Sequence, residues 1–174
     1  YIGGLMKVSV VLLTHNTRDM TVANALKAAG ALSPEDELVV VDNGSSDGTA
    51  AALGAQVPSA RVLTPGLNLG FSKAANLGAR NVGGEVLLFL NSDAELTAPA
   101  LKALKACFMA HPRTGAVGAF LVHPDGSPQR SADGVPTLAA ELLGKAPFRW
   151  LTPGLFPTVK PGTVWQRAQP NRSM

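Results

Sequence analysis

The chain has 174 residues, 46% hydrophobic and 16% charged, enough to bury the core of one soluble globular domain. The net charge of +3 divides unevenly: residues 1–100 hold 6 Lys/Arg against 9 Asp/Glu, and residues 101–174 hold 9 against 3. One cysteine, Cys107, excludes an internal disulfide framework, no run approaches the roughly 18 apolar residues of a membrane span, and the first residues lack a signal-peptide pattern, so a reducing, cytoplasmic setting is expected.

Val8 to Leu13 is an unbroken apolar run rich in β-branched residues, the pattern of a parallel strand buried on both faces. Thr14, His15, Asn16 and Thr17 follow as cap candidates, and Met20, Ala23 and Leu26 then recur at helical spacing until Gly30. Leu38 to Val41 predicts a second strand, and the turn-forming stretch from Asp42 to Thr49 leads into a short helix through Leu53. Arg61 to Leu63 predicts a short third strand, and Asn68 to Ser72 opens a helix through Gly78.

Glu85 to Leu90 reads as another buried strand, ending in Asn91-Ser92-Asp93-Ala94-Glu95. Thr97 is placed to cap a helix with Pro99 in its first turn and Leu101, Leu104, Phe108 and Met109 on one stripe. Ala116 to Val122 predicts a fifth strand, which turns at Pro124-Asp125-Gly126. Strands alternating with helices specify an α/β fold: a mostly parallel, Rossmann-like sheet flanked by helices on both faces. This domain is expected to span residues 1–144. Residues 145–174, broken by five prolines, read as a Pro-rich basic arm, poorly ordered or opening a further segment.

In an open α/β sheet, ligands collect at the carboxyl ends of the strands. Three such ends carry polar clusters here: Thr14-His15-Asn16, Asp42-Asn43 and Asn91 to Glu95. Asp93 and Glu95, two residues apart beyond a strand, suit a hard cation such as Mg²⁺ or Mn²⁺ with coordination positions left for phosphate oxygens. Asp42 either accepts a hydrogen bond from a nucleobase or ribose or simply makes its turn; Asn43, Ser45, Ser46 and Asp47 read as turn-makers and His15 as structural. No G-x-G-x-x-G follows the first strand and no P-loop is present, which excludes a dinucleotide Rossmann domain and a P-loop NTPase. A receiver-like module would need its acids after the first strand, where this chain has Thr-His-Asn. The scattered basic residues and few aromatics disfavour nucleic acid, and no nucleic-acid partner is expected.

Four segments in order, Val8 to Asn16, Val40 to Thr49, Asn68 to Gly78 and Leu88 to Asp93, resemble family 2 glycosyltransferases, most closely the bacterial rhamnosyltransferase-like branch, and the likeness extends to about residue 140. The resemblance implies a GT-A fold and inverting transfer of a sugar from a dTDP- or UDP-sugar to a glycan or polyprenyl-linked acceptor. By motif position Thr14, Asn16 and Asp42 would hold the nucleoside, Lys73 and Asn76 would lie close to it, and Asp93 with Glu95 would form the DXD-type metal site for Mn²⁺ or Mg²⁺, with Glu in the third position as a departure.

Such enzymes also carry a later Glu-Asp or Asp-Asp element that supplies the catalytic base. After Glu95 this chain has only Asp125, Asp133 and Glu141, none in that motif, so no catalytic residue is assigned and a C-terminally truncated, donor-binding form is expected. The alternative is an inactive nucleotide-sugar-binding module. Basic residues mixed with Trp150, Phe156 and Trp165 in the arm suit peripheral contact with the inner membrane face.

Overall fold

The computed structural model describes residues 6–123 and 125–129. The chain divides into two compact units, Tyr1–Ala110 and His111–Met174. The boundary expected at residue 144, and the Pro-rich arm beyond it, lie outside the described residues.

In the first unit β1 (Val8–Thr14), α1 (Arg18–Ala31), β2 (Glu37–Asp42), α2 (Thr49–Gln56), β3 (Ala60–Leu63), α3 (Phe71–Arg80), β4 (Val86–Asn91) and α4 (Ala98–Ala110) alternate along the chain. The four strands form one parallel sheet in the order β3-β2-β1-β4. The chain thus steps outward from β1 to β3, then crosses through α3 to the other edge of β1. This is the α/β class read from the sequence.

Successive side chains of a strand point to opposite faces, so the apolar runs of β1 and β2 feed two cores. On one face Val8, Val10, Leu12, Leu38 and Val40 pack with Val22, Ala25 and Ala28 of α1, Leu53 of α2 and Leu101 of α4. On the other, Val11, Leu13 and Val41 pack with Ala74 of α3. Each fully buried Val or Leu contributes about 1.5–3 kcal/mol. Gly78 lets α3 lie close: a Cβ there would run into Val11 Cγ1 and stand 3.1 Å from Val41 Cγ2.

Three sequence expectations are corrected. Met20 and Leu26 do not face the core; they are 48% and 47% exposed, and the buried positions of α1 are Thr21, Val22, Asn24, Ala25 and Ala28. Small residues let the helix approach the sheet, and its buried polar groups find partners at the rim described below. β4 is not buried on both faces. It stands at the edge of the sheet, paired only with β1 among the described residues, and its burial alternates, leaving Leu87 and Phe89 exposed. Finally, Ala116 to Val122 is not a strand. Within the second unit Val122 forms an isolated antiparallel bridge with Pro128, which has no N–H with which to extend a ladder. The expected turn does form, with the Gly126 N–H donating to the His123 carbonyl at 2.9 Å and Gly126 at φ 81°.

At the amino end of the sheet the Asp36 carboxylate, its side chain fully buried, accepts the Val8 N–H at 2.8 Å, the Ser33 hydroxyl at 2.5 Å and Lys105 Nζ at 2.7 Å. Burial pushes the Asp36 carboxyl up, but the bonds from Lys105, Ser33 and Val8 outweigh it and hold it below the ordinary value. This ties α4 to the start of β1, at the rim opposite the polar strand ends.

Candidate functional site

The parallel register sets Thr14 beside Asp42 and Leu13 beside Asn91, so the polar ends of β2, β1 and β4 arrive at one level of one rim. Thr14 and Asp42 are both 4% exposed.

Asn16 closes the gap between the first two of these ends. It adopts φ 52°, in the left-handed region that Asn enters more readily than most residues. From there its Oδ1 accepts the Ser46 N–H at 2.8 Å and its own N–H donates to Ser45 Oγ at 2.9 Å. Asp42 Oδ1 accepts the Ser45 N–H at 3.0 Å. Asp47 satisfies two helix starts at once, accepting the Arg18 N–H of α1 at 3.0 Å and the Thr49 N–H of α2 at 3.1 Å. The Thr49 hydroxyl, then these N–H groups, hold the Asp47 carboxyl below its ordinary value.

Asn43 carries the network to the next loop. Its Nδ2 donates to Asn68 Oδ1 at 3.0 Å and its Oδ1 accepts the Leu69 N–H at 2.8 Å. Gly44, at φ 77°, lies under the same loop, where a Cβ would fall 2.6 Å from the Leu67 carbonyl carbon. The turn-making role read for Asn43, Ser45, Ser46 and Asp47 therefore holds, with the addition that their partners are other loops.

The β4 loop is held from α1. Thr14 Oγ1 shares hydrogen bonds with Thr21 at 2.6 Å and Thr17 at 3.0 Å; Thr17 donates to Ser92 Oγ at 3.2 Å, and Asn24 Nδ2 donates to the Ser92 carbonyl at 2.7 Å. Further along α1, Lys27 Nζ pairs with Glu95 Oε2 at 2.6 Å. Asp93, next to the clamped Ser92, is exposed at the rim.

The donor set matches a hard cation in kind, since Asp93 offers carboxylate oxygens and Mg²⁺-like ions are held by one or two carboxylates plus substrate phosphates. Glu95 is engaged by Lys27, and among the described residues no group of three or more His, Cys, Asp or Glu could enclose an ion without a ligand's help. Lys73 and Asn76 lie apart from the β1–β2 network, exposed along α3 in a groove shared with Leu69, Leu77 and Arg80; Lys73 falls in the first turn of α3, at its rim end. His15 is exposed, its Nε2 3.3 Å from Asn16 Nδ2.

Sequence reasoning read Thr17 only as a cap candidate and missed Thr21, Asn24 and Lys27. A signal was present: polar residues at 17, 21 and 24 recur at i, i+4 and i+7 and so form one stripe of a helix.

The model of the family described as "Glycosyl transferase family 2" matches residues 9–159. Over 112 residues the chain is 33% identical to an N-acetylglucosaminyl-diphospho-decaprenol L-rhamnosyltransferase of Mycobacterium tuberculosis, covering 58% of this chain and 36% of that one. It is 30% identical over 168 residues to O-antigen biosynthesis protein RfbC of Myxococcus xanthus, covering 94% of this chain and 13% of that one. The chain thus spans about a third, or less, of the length of these relatives.

Among solved structures, the mannosyltransferase PcManGT of Pyrobaculum calidifontis, in complex with GDP-Man and Mn²⁺, superposes with a TM-score of 0.61 at 24% identity over 68% of this chain and 36% of that one. S. aureus TarS 1-349 in complex with UDP-GlcNAc superposes with a TM-score of 0.54 at 27% identity over 62% of this chain and 32% of that one. The sheet and its flanking helices are those of GT-A glycosyltransferases.

Proposed function

The chain belongs to glycosyl transferase family 2, and on that premise we propose that it is the donor-binding part of an enzyme that moves a sugar, with inversion, from a dTDP- or UDP-sugar to an acceptor hydroxyl in glycan synthesis. The observation that carries this reading is the register that sets Thr14 beside Asp42 and brings the Asn91–Glu95 loop to the same rim.

In this reading Asp42 accepts a hydrogen bond from the base or ribose, and Thr14 and Asn16 shape the nucleoside's seat between the first two loops. Lys73, at the rim end of α3, faces the donor's charge and Asn76 lies a turn behind it. Asp93 holds Mn²⁺ or Mg²⁺ together with the donor diphosphate, and Glu95 is the second carboxylate once it leaves Lys27. The cation's contribution when bound is to neutralise the charge that builds on the departing diphosphate.

The acceptor is proposed to be a polyprenyl-linked glycan at the inner membrane face, by analogy with the decaprenol-linked acceptor in the mycobacterial relative's name. Among the described residues no helix is long and apolar enough to cross a membrane. Peripheral contact through the basic and aromatic residues of 145–174 is checked by salt-sensitive sedimentation with anionic liposomes.

A second reading, a module that binds nucleotide-sugar without transferring it, draws on the carboxylates after Glu95. Asp125 is spent on its own turn, accepting the Ser127 N–H at 2.8 Å and hydroxyl at 2.6 Å. Those bonds, the hydroxyl first, hold its carboxyl below the ordinary value.

Thermal unfolding tests the donor site, because a ligand that binds only the folded state raises the melting temperature by mass action. UDP or dTDP with Mn²⁺ is expected to raise it, and chelator to reduce the shift. No shift with either nucleotide, with or without metal, would reject the reading.

A further inference from the structure

Buried polar side chains on a helix need an explanation, because each must find a partner or cost the desolvation of its group. On α1 the buried polar residues are Thr21, fully buried, and Asn24, 9% exposed. With Thr17 they form one stripe whose contacts run to Thr14 at the end of β1 and to Ser92.

Ser92 is gripped twice. Its side chain takes a hydrogen bond from Thr17 at 3.2 Å, and its carbonyl takes one from Asn24 Nδ2 at 2.7 Å. The Ser92 carbonyl belongs to the peptide unit whose nitrogen is that of Asp93, so fixing that carbonyl fixes the plane from which the Asp93 side chain departs. β4 has β1 on one side only among the described residues, and its terminal Asn91 is exposed. The grip from α1 adds to the hold that β1 has on this end of the strand.

We infer that Asn24 is a positioning residue: acting through the Ser92 carbonyl, it holds the Asp93 carboxylate where a divalent cation and the donor diphosphate meet. Thr17 adds a second grip on the same loop through Ser92 Oγ. The inference rests on the donor-site reading above and adds to it a residue on the far side of the metal loop. Its chemistry is specific: the side-chain amide donates, and a group of the same size that cannot donate will not serve.

The test compares wild type, Asn24→Leu and Thr17→Val by titration calorimetry with UDP, first with Mn²⁺ and then with chelator, below each variant's unfolding transition. Asn24→Leu keeps the size and removes the donor without adding a charge; Thr17→Val, at a half-buried site, removes the second grip with little change of volume. Partners that orient metal ligands typically contribute 10–100-fold, so Asn24→Leu is expected to lower the Mn²⁺-dependent gain in UDP affinity by roughly tenfold or more, and Thr17→Val by less. UDP affinity in chelator should be unchanged in Asn24→Leu.

A general loosening of the fold would lower both affinities together, and that result, or an unchanged Mn²⁺ gain in both variants, would overturn the assignment. Failure of wild type itself to bind UDP would instead remove the donor-site reading on which the assignment stands.

Discussion

Asn43 spans the rim to Asn68: its amide nitrogen donates to Asn68 Oδ1 at 3.0 Å while its amide oxygen takes the Leu69 N–H at 2.8 Å. Both bonds leave from a residue only 7% exposed, so neither loop can replace it with water at no cost. Asn43→Ala leaves Leu69 without its acceptor and is expected to cost about 1–3 kcal/mol in urea unfolding. A change below about 0.5 kcal/mol, the range of ordinary surface substitutions, would show that the loops hold each other by other means.

Two glycines in one loop separate backbone strain from collision. Gly44 and Gly48 sit at φ 77° and 82°, but a Cβ on Gly44 would meet the backbone of Leu67 and Asn68, whereas one on Gly48 meets nothing within 4 Å. Gly48→Ala should cost about 1–2 kcal/mol, the left-handed penalty alone. Gly44→Ala adds an overpacking cost of roughly 1–3 kcal/mol and should lose the rim geometry as well. Equal losses by chemical denaturation would contradict the close approach of the two loops.

The Asp36–Lys105 pair gives a pH dependence with a definite sign. The Asp36 carboxyl is held below its ordinary value in the fold, so its contribution is present above the unfolded value of about 3.9 and is lost as pH falls through the lower folded value. Lys105→Met leaves a buried carboxylate without its cation, which costs about 3–5 kcal/mol near neutrality. That cost should shrink in acid, where Asp36 takes up a proton. Urea midpoints measured from neutral to acid pH check this; a wild-type-to-variant difference that stays constant with pH would contradict it.

Much of this was legible in the sequence and some was not, for physical reasons. The runs from Val8 and Leu38 announce buried parallel strands because both of their faces are covered, and the clusters at Thr14, Asp42 and Asn91 lie at strand ends as their spacing requires. The inward face of α1 is hard to read because Met20 and Leu26 recur at helical spacing, while the true inward face carries alanines and groups such as Asn24, whose hydrogen-bond partner lies 68 positions away. Nothing near Lys105 in the sequence points to Asp36, 69 residues earlier. Ala116 to Val122 has strand composition but lacks a continuing partner among the described residues, and composition alone does not make a strand.

The reading of these 174 residues as a donor-binding part predicts absent or slow sugar transfer, because a positioned general base contributes about 10²–10⁴-fold and none of Asp125, Asp133 and Glu141 matches the base motif that the resemblance implies. Incubation with radiolabelled dTDP-rhamnose or UDP-sugars, Mn²⁺ and polyprenyl-linked acceptors is expected to give slow donor hydrolysis at most. Robust turnover abolished by Asp125→Asn or Asp133→Asn would identify the base in the second unit.

The donor site at the carboxyl rim is tested most directly by titration calorimetry of UDP and dTDP into wild type, Asp42→Ala and Asp93→Ala, each with Mn²⁺ and with chelator. Asp93→Ala is expected to remove the metal-dependent part of the affinity while leaving the rest, and Asp42→Ala to weaken binding under both conditions. Identical affinities in all three proteins, with and without metal, would contradict it.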